Sequence, residues 1–378
     1  MMIPKIQKNT DSKDGLLKFT LSDVNVSLAN GLRRTIISDI PTVVFKTLPY
    51  EENKCNITVN TTRFNNEILK QRLSCVPIHI TDLSIPLKDY KLEVNVENLT
   101  NDIIYVTTED FKIRNVNTNE YLDEKDTRNI FPANDLTGYF IDFARLRPRI
   151  SDEIPGEKIS LTCDFSIGTA KEDGMFNVIS KCSYGCTQDT GSRYMDALEK
   201  KRQEWKDSGF DESQIKYAET DWKLLDGKRI IKKDSFDFVI KTVGVYTNEE
   251  IVIKACEILM KELIKIHDDI ETDKIDIEPS ITTIQNSYDI VLPQVTSTIG
   301  PIIQNLLYLK FFEELKTMTF CGFEIAHPHD VHSTLRIAYK ENVDKSVIKQ
   351  NIISSIDEAI NVYKEIKRSF TIEKRTTK

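Results

Sequence analysis

The chain has 378 residues, enough for two or three domains with cores of their own. With 40% hydrophobic and 29% charged residues, and no run near the roughly eighteen apolar residues of a bilayer span, it reads as a soluble globular protein that enters no membrane. A net charge of −8 argues against gripping nucleic acid directly, which takes a basic face, so DNA is expected only indirectly, through a complex.

The opening residues carry no apolar targeting segment, so the chain is expected to stay in the cytoplasm or nucleus. Seven cysteines, at 55, 75, 163, 182, 186, 256 and 321, are odd in number and scattered, which suits a reducing compartment better than a disulfide framework. Gly15–Thr20 reads as a short strand. A helix follows, with Ser22 or Asp23 as N-cap and Val26, Ala29, Leu32, Ile36 and Ile40 on its core face. Pro41 ends it, and Thr42-Val43-Val44-Phe45 starts a strand. Arg33 and Arg34 interrupt this core-facing helix; taken alone, such a pair snorkels into solvent.

The order Ala29-Asn30-Gly31-Leu32-Arg33-Arg34-Thr35-Ile36, then Ile40-Pro41, resembles the signature helix of the assembly subunit of cellular RNA polymerases. That family holds the bacterial alpha subunit, the archaeal D subunit and the third-largest subunit of eukaryotic polymerase II. The resemblance implies a helix packed in a dimerisation core, with Asn30, Gly31, Arg33 and Arg34 binding a large catalytic subunit. Val43–Leu48 and Cys55–Thr61 are expected as strands of one sheet. Residues 65–77 are expected as a helix with Ile68, Leu69, Leu73 and Val76 buried. Asn66-Glu67, Arg72-Leu73 and Pro77-Ile78 match the family again, and Arg72 joins the implied partner-binding set.

From about residue 85 the period becomes two: Leu92, Val94, Val96; Ile104, Val106; Phe111, Ile113; Ile159, Leu161, Cys163, Phe165, Ile167. Leu146-Arg147-Pro148, Ile154–Ile159 and Ile167–Glu172 with Met175-Phe176 resemble the family's inserted second domain. Ala170 stands where the family has a second glycine, and Phe176 where it has tryptophan. Residues 187–231 are polar, with helices expected over Tyr194–Lys206 and Asp211–Trp222 and too few apolar residues for a core. Phe236–Ile240 resumes the strand pattern. Thr247 to Glu250 is a capping box for a helix whose stripe is Val252, Ala255, Leu259, Leu263 and Ile266.

The acidic stretch from His267 to Pro279 reads as a linker. Beyond it a strand (281–292), helix (298–317), strand pair (320–340) and long helix (344–370) repeat the first half in reduced form. Thr298–Leu307 resembles the helix of the small partner subunit, archaeal L or the eleventh subunit of polymerase II. Phe320–Pro328 and Leu335-Arg336-Ile337 resemble its turn and strand. The resemblance implies partner contacts from Thr298, Gly300, Gln304 and Asn305, with Gln304 standing where the family has arginine.

The expected fold is α+β: two polymerase-alpha-type dimerisation half-domains docked intramolecularly, the first interrupted by an antiparallel β insert. The boundaries are 1–84 and 232–268 for the first half-domain, 85–186 for the insert, 187–231 for a helical insertion, 269–280 for a linker and 281–378 for the second half-domain. About fourteen linking residues reach on the order of 45 Å at roughly 3.3 Å each. Val252, Leu259 and Leu263 are therefore expected to dock on Ile352, Ile356 and Tyr363 within one chain, without homodimerisation.

His327, His329 and His332 with Cys321, and the Cys182/Cys186 pair, are the metal-like groups. Neither supplies a full ligand set at the usual spacing, so no metal or cofactor is expected. The resemblance implies a non-catalytic assembly platform of a DNA-directed RNA polymerase. Its partners would be the largest and second-largest subunits and other small polymerase subunits. A fused chain suits a large cytoplasmic DNA virus, hence the viral factory and virion, or the nucleus if the chain is cellular. The alternative is a free-standing metal-binding or enzymatic protein on a duplicated α+β fold.

Overall fold

The computed structural model describes residues 2–8, 15–151 and 153–371. The chain divides into two compact units. One comprises Met1–Thr35, Lys181–Lys241 and Val252–Lys378; the other comprises Ile36–Ser180 and Thr242–Ile251. The α-helices, in chain order, are α1 (Val26–Ser38), α2 (Asn66–Ser74), α3 (Glu124–Ile130), α4 (Ser192–Asp207), α5 (Glu212–Leu224), α6 (Asn248–Glu271), α7 (Ile299–Leu307) and α8 (Lys345–Thr371).

The first unit holds two four-stranded sheets. One runs in the order Lys5–Lys8, Leu17–Ser22, Ile231–Thr242, Ile179–Gln188. Alternation puts Leu17, Phe19 and Leu21 on its buried face. Phe19 sits opposite Phe238 in register, the two rings stacked 5.0 Å apart. The other sheet runs Ile277–Pro279, Ser287–Pro293, His332–Tyr339, Met318–Glu324, every pairing antiparallel.

Helices α6 and α8 lie antiparallel. Glu257 faces Lys367 at 2.8 Å, His267 faces Asp357 at 3.8 Å, and Asp273, just past α6, pairs with Lys349, so the partners descend as α6 ascends. The apolar stripes of both helices are inside. Val252, Leu259 and Leu263 are buried, as are Ile352, Ile356 and Tyr363. Phe370 meets Phe19 edge-on at 5.2 Å, which ties the end of α8 to the first sheet.

The second unit is built on a sheet ordered Cys55–Asn60, Lys158–Asp164, Tyr90–Glu97, Lys112–Asn115, with Ile104–Thr107 paired to Asp142–Leu146 beside it. Phe45, Leu69, Leu73, Phe111, Phe143 and Leu161 are central to its core. At Gly156 an added Cβ would lie 1.9 Å from the Asn98 carbonyl oxygen, so only glycine lets that loop close.

Several sequence expectations change. Asn25, not Ser22 or Asp23, caps α1, its side chain accepting from the Ser27 amide at 2.8 Å; Asp23 adopts a left-handed φ of 61° just before it. That later start turns Val26 outward, 48% exposed. Ile68 and Ile167 are also exposed, at the edges of their stripes. Thr42–Val44 pairs with Ser166–Gly168, while Cys55–Asn60 joins the larger sheet, so the two strands expected in one sheet are in separate ones.

The linker expected over 269–280 is mostly structured. α6 runs on to Glu271, and Ile277–Pro279 is a strand in register with Tyr288–Ile290, because Ile275 and Ile277 have buried places to fill. The strand expected from 281 begins at Ser287, and the helix expected over 298–317 is α-helical only to Leu307 before widening into a π-helical turn, Tyr308–Glu314. Residues 187–231 do make a small core: Leu198 and Trp222 are buried, with Tyr194 5.3 Å from the Trp222 ring. Arg202 clamps Glu219 by hydrogen bonds of 2.9 and 2.8 Å, so α4 and α5 hold each other. Arg202 and Lys223 pull the Glu219 carboxyl down to about 2.

Candidate subunit-docking interface

Every element of the first motif helix up to Thr35 belongs to the first unit, and its surroundings can be read directly. Leu28, Ala29, Gly31 and Leu32 are buried, Asn30 and Arg33 half-buried, and Arg34 exposed. Gly31 marks a close approach. A Cβ there would sit 2.7 Å from Ile302 Cδ1 of α7 and 2.9 Å from Tyr363 Oη of α8. The Tyr363 hydroxyl donates to the Leu28 carbonyl at 3.1 Å. α1 thus packs on the two helices of residues 281–378 along the glycine face.

The arginines lie off that face. Arg33 Nε and Nη2 donate to Asn30 Oδ1 at 3.1 and 2.9 Å, and among the described residues it has no carboxylate partner. Its charge reaches Cys182 and Tyr184 on the neighbouring strand. Burial pushes the Cys182 thiol up to about 12, with Arg33 opposing. Arg34 donates from Nη2 to Ser297 Oγ at 3.4 Å, next to the start of α7. A guanidinium held by a side-chain amide, with no acid beside it, keeps most of its charge for a further acceptor.

The second motif helix, α7, repeats the glycine device. A Cβ on Gly300 would lie 2.2 Å from the Phe323 ring, so Phe323 can close over the helix start only above glycine. Thr298 precedes α7, its amide donating to Thr296 Oγ1 at 3.3 Å. Asn305 Nδ2 donates to the Pro301 carbonyl at 2.9 Å, and the Gln304 carbonyl accepts from Cys321 Sγ at 3.6 Å; both side chains are half-buried. Burial raises the Cys321 thiol to about 12.

Arg72 stands apart, in the second unit. Its Nε and Nη2 donate to the carbonyls of Phe143 and Asp142 at 2.8 and 2.7 Å, so the guanidinium ties α2 to a strand. Of the metal-like groups, Cys182 and Cys186 are free, half-buried and exposed respectively. His327 and His329 stack edge-on at 4.9 Å, and His332 lies in a strand opposite Pro293. Sequence reasoning missed Leu28 and Ile302 as interface residues. The signal was there, since Leu28 leads Leu32 by four residues and Ile302 opens an apolar run, but no spacing says which helix faces which.

The model of the RNA polymerase Rpb3/Rpb11 dimerisation domain matches residues 18–263. The chain belongs to this family. Within the Rpb3/Rpb11 match lie α1 and most of α6, while α7 and α8 fall beyond it. The chain is 39% identical over 75 residues to subunit 3 of DNA-directed RNA polymerases II, IV and V of Arabidopsis thaliana, a stretch covering 20% of this chain and 21% of the relative. It is 38% identical over 71 residues to subunit 3B of polymerases IV and V of the same plant, 19% and 20% of the two chains. Subunit Rpo3 of the Pyrococcus furiosus polymerase is 29% identical over 117 residues, 29% of this chain and 42% of the relative. The matched stretches therefore span between about a fifth and two fifths of these Rpb3-type relatives.

Proposed function

We propose that this chain is the assembly platform of a multisubunit DNA-directed RNA polymerase, with both partners of the family's dimer joined in one polypeptide. The observation that carries the reading is Gly31. In a family defined by dimerisation, the glycine face of the matched helix is occupied by Ile302 and Tyr363 of the same chain. Five residues, 272–276, connect α6 to the next strand. So short a tether gives an effective concentration in the millimolar range, which favours docking in cis over a second copy.

On this reading the chain contributes no acid, base or nucleophile to nucleotide transfer, which belongs to the two largest subunits. Arg33 and Arg34, with Asn30, present charge to the second-largest subunit, and the α7 side faces the largest. Other small polymerase subunits attach to the remaining surface. A fused chain suits a large cytoplasmic DNA virus that transcribes outside the nucleus.

The test is co-purification. Arg33→Ala/Arg34→Ala should leave the circular dichroism spectrum and melting temperature unchanged while recovery of the two large subunits falls, since losing a desolvated arginine contact costs roughly 2–5 kcal/mol of binding. Unchanged recovery would refute the reading.

A further inference from the structure

Along the α6–α8 seam the carboxylates Glu257 and Asp273 each have a lysine partner on α8: Lys367 at 2.8 Å, and Lys349. The rung at His267 breaks this pattern. Its Nδ1 lies 3.4 Å from Asp268 Oδ1 and 3.9 Å from Glu271 Oε2, and its Nε2 lies 3.8 Å from Asp357 Oδ1 on α8. Among the described residues none of these three carboxylates has a lysine or arginine partner; each faces only the imidazole. The excess of negative charge also sits at the unfavourable end of its helix. No basic residue occupies the last turn of α6, where the macrodipole is already negative.

We propose that His267, Asp268 and Glu271 form a binding site for a divalent transition ion of the zinc class, oriented by Asp357 from the facing helix. One ligand atom from each of the three lies within 4.8 Å of the others. Bonds of about 2.0–2.1 Å in a tetrahedral shell set ligand atoms about 3.3–3.4 Å apart. The His267–Asp268 spacing of 3.4 Å already meets this, and Glu271, at 3.9 Å, has to close by about half an ångström. His267 and Glu271 are four residues apart, one above the other on the helix face.

Asp357 has a separate role. A metal-bound histidine normally donates its other ring N–H to a carboxylate, which fixes the tautomer and the ring plane. At 3.8 Å Asp357 stands on the Nε2 side of the ring and has to close by roughly 0.6–1 Å to accept that N–H. This would leave Nδ1, on the side of Asp268 and Glu271, to bind the ion. An imidazole ligand favours zinc, cobalt or nickel over magnesium or calcium. The bound ion would neutralise the end of α6 and, through His267 and Asp357, bind it to α8.

The experiment uses the full untagged chain, with Zn²⁺ alone and Co²⁺ as a spectroscopic replacement. One equivalent of Co²⁺ should bind saturably with a visible absorption band, and excess Zn²⁺ should raise the melting temperature, as any ligand of the folded state does. His267→Gln should abolish both effects. Glu271→Gln, at a largely exposed position, should weaken binding and serves as the second variant if His267→Gln folds poorly. Asp357→Asn should weaken binding about 10–100-fold without removing it. Absence of saturable binding would overturn the proposal. So would binding that survives His267→Gln, or that is lost instead in a His327→Gln/His329→Gln/His332→Gln variant.

Discussion

The hydroxyl of Tyr363, near the end of the last helix, donates a 3.1 Å hydrogen bond to the carbonyl of Leu28 in the first helix, 335 residues away in sequence. Both residues are buried, and burial pushes the phenol well above its ordinary range. The bond joins α1 to α8 beside Gly31, where an added Cβ would lie 2.9 Å from the same hydroxyl. Tyr363→Phe should cost about 0.5–1.5 kcal/mol, the net contribution of a typical hydrogen bond, because the Leu28 carbonyl lies within α1 and keeps its helical partner. Denaturant titration of the two proteins measures it, with an unchanged m-value expected.

Gly31→Ala tests the same contact sterically. In an isolated helix, alanine would gain about 1 kcal/mol over glycine. Here its methyl would meet Ile302 Cδ1 and Tyr363 Oη at under 3 Å. Overpacking of this kind typically costs about 1–3 kcal/mol, so the net effect should be destabilising. A rise in melting temperature would show that α7 and α8 do not press on this face.

Cleavage between α6 and the Ile277–Pro279 strand should leave the two pieces together. Their shared seam buries Leu259, Leu263, Ile352 and Ile356 and carries the Glu257–Lys367 pair. A protease site inserted after Thr272 provides the cut. Sedimentation should show a monomer of the intact chain and a single complex after cleavage. A concentration-independent homodimer, or separation of the pieces, would contradict docking within one chain.

Arg72→Ala should act on stability. The guanidinium satisfies the carbonyls of Asp142 and Phe143, and hydrogen bonds from a charged donor contribute about 1.5–3 kcal/mol. The expected result is a lower melting temperature with unchanged recovery of large subunits from any preparation that folds.

His79 should titrate below 6.5. Burial disfavours its charged form, and Asp135 opposes this only in part. A depressed folded pKa means the stabilisation from neutral His79 is complete above 6.5 and is lost as the pH falls through the folded value. Imidazole NMR measures the pKa, and His79→Gln should flatten the pH dependence of stability across that window.

Much of the candidate interface is legible in the primary structure because it is local. The spacing of Ala29, Leu32 and Ile36 specifies one helix face, Thr247 and Glu250 a helix start, and the 344–370 pattern a long amphipathic helix. In the structure those faces are buried, and the Thr247–Glu250 box forms with bonds of 3.0 and 3.2 Å. Periodicity reports only which side of an element is apolar, and so it carries these features without any knowledge of partners.

Tertiary structure alone decided the rest. That Gly31 meets Tyr363 and Gly300 meets Phe323 follows from how helices pack, and no local spacing encodes it. The acidic stretch after His267 looked like a tether because charged residues dominate it, yet the two isoleucines at 275 and 277 had a sheet edge and a core to fill. Arg72 is committed to two carbonyls some seventy residues away, and His267 gathers carboxylates from two helices. Sequence by itself determined the elements and their apolar faces, since those depend on neighbours three or four residues away. Which faces meet, and which polar groups are left to find partners across them, depends on long-range contacts that only the folded chain creates.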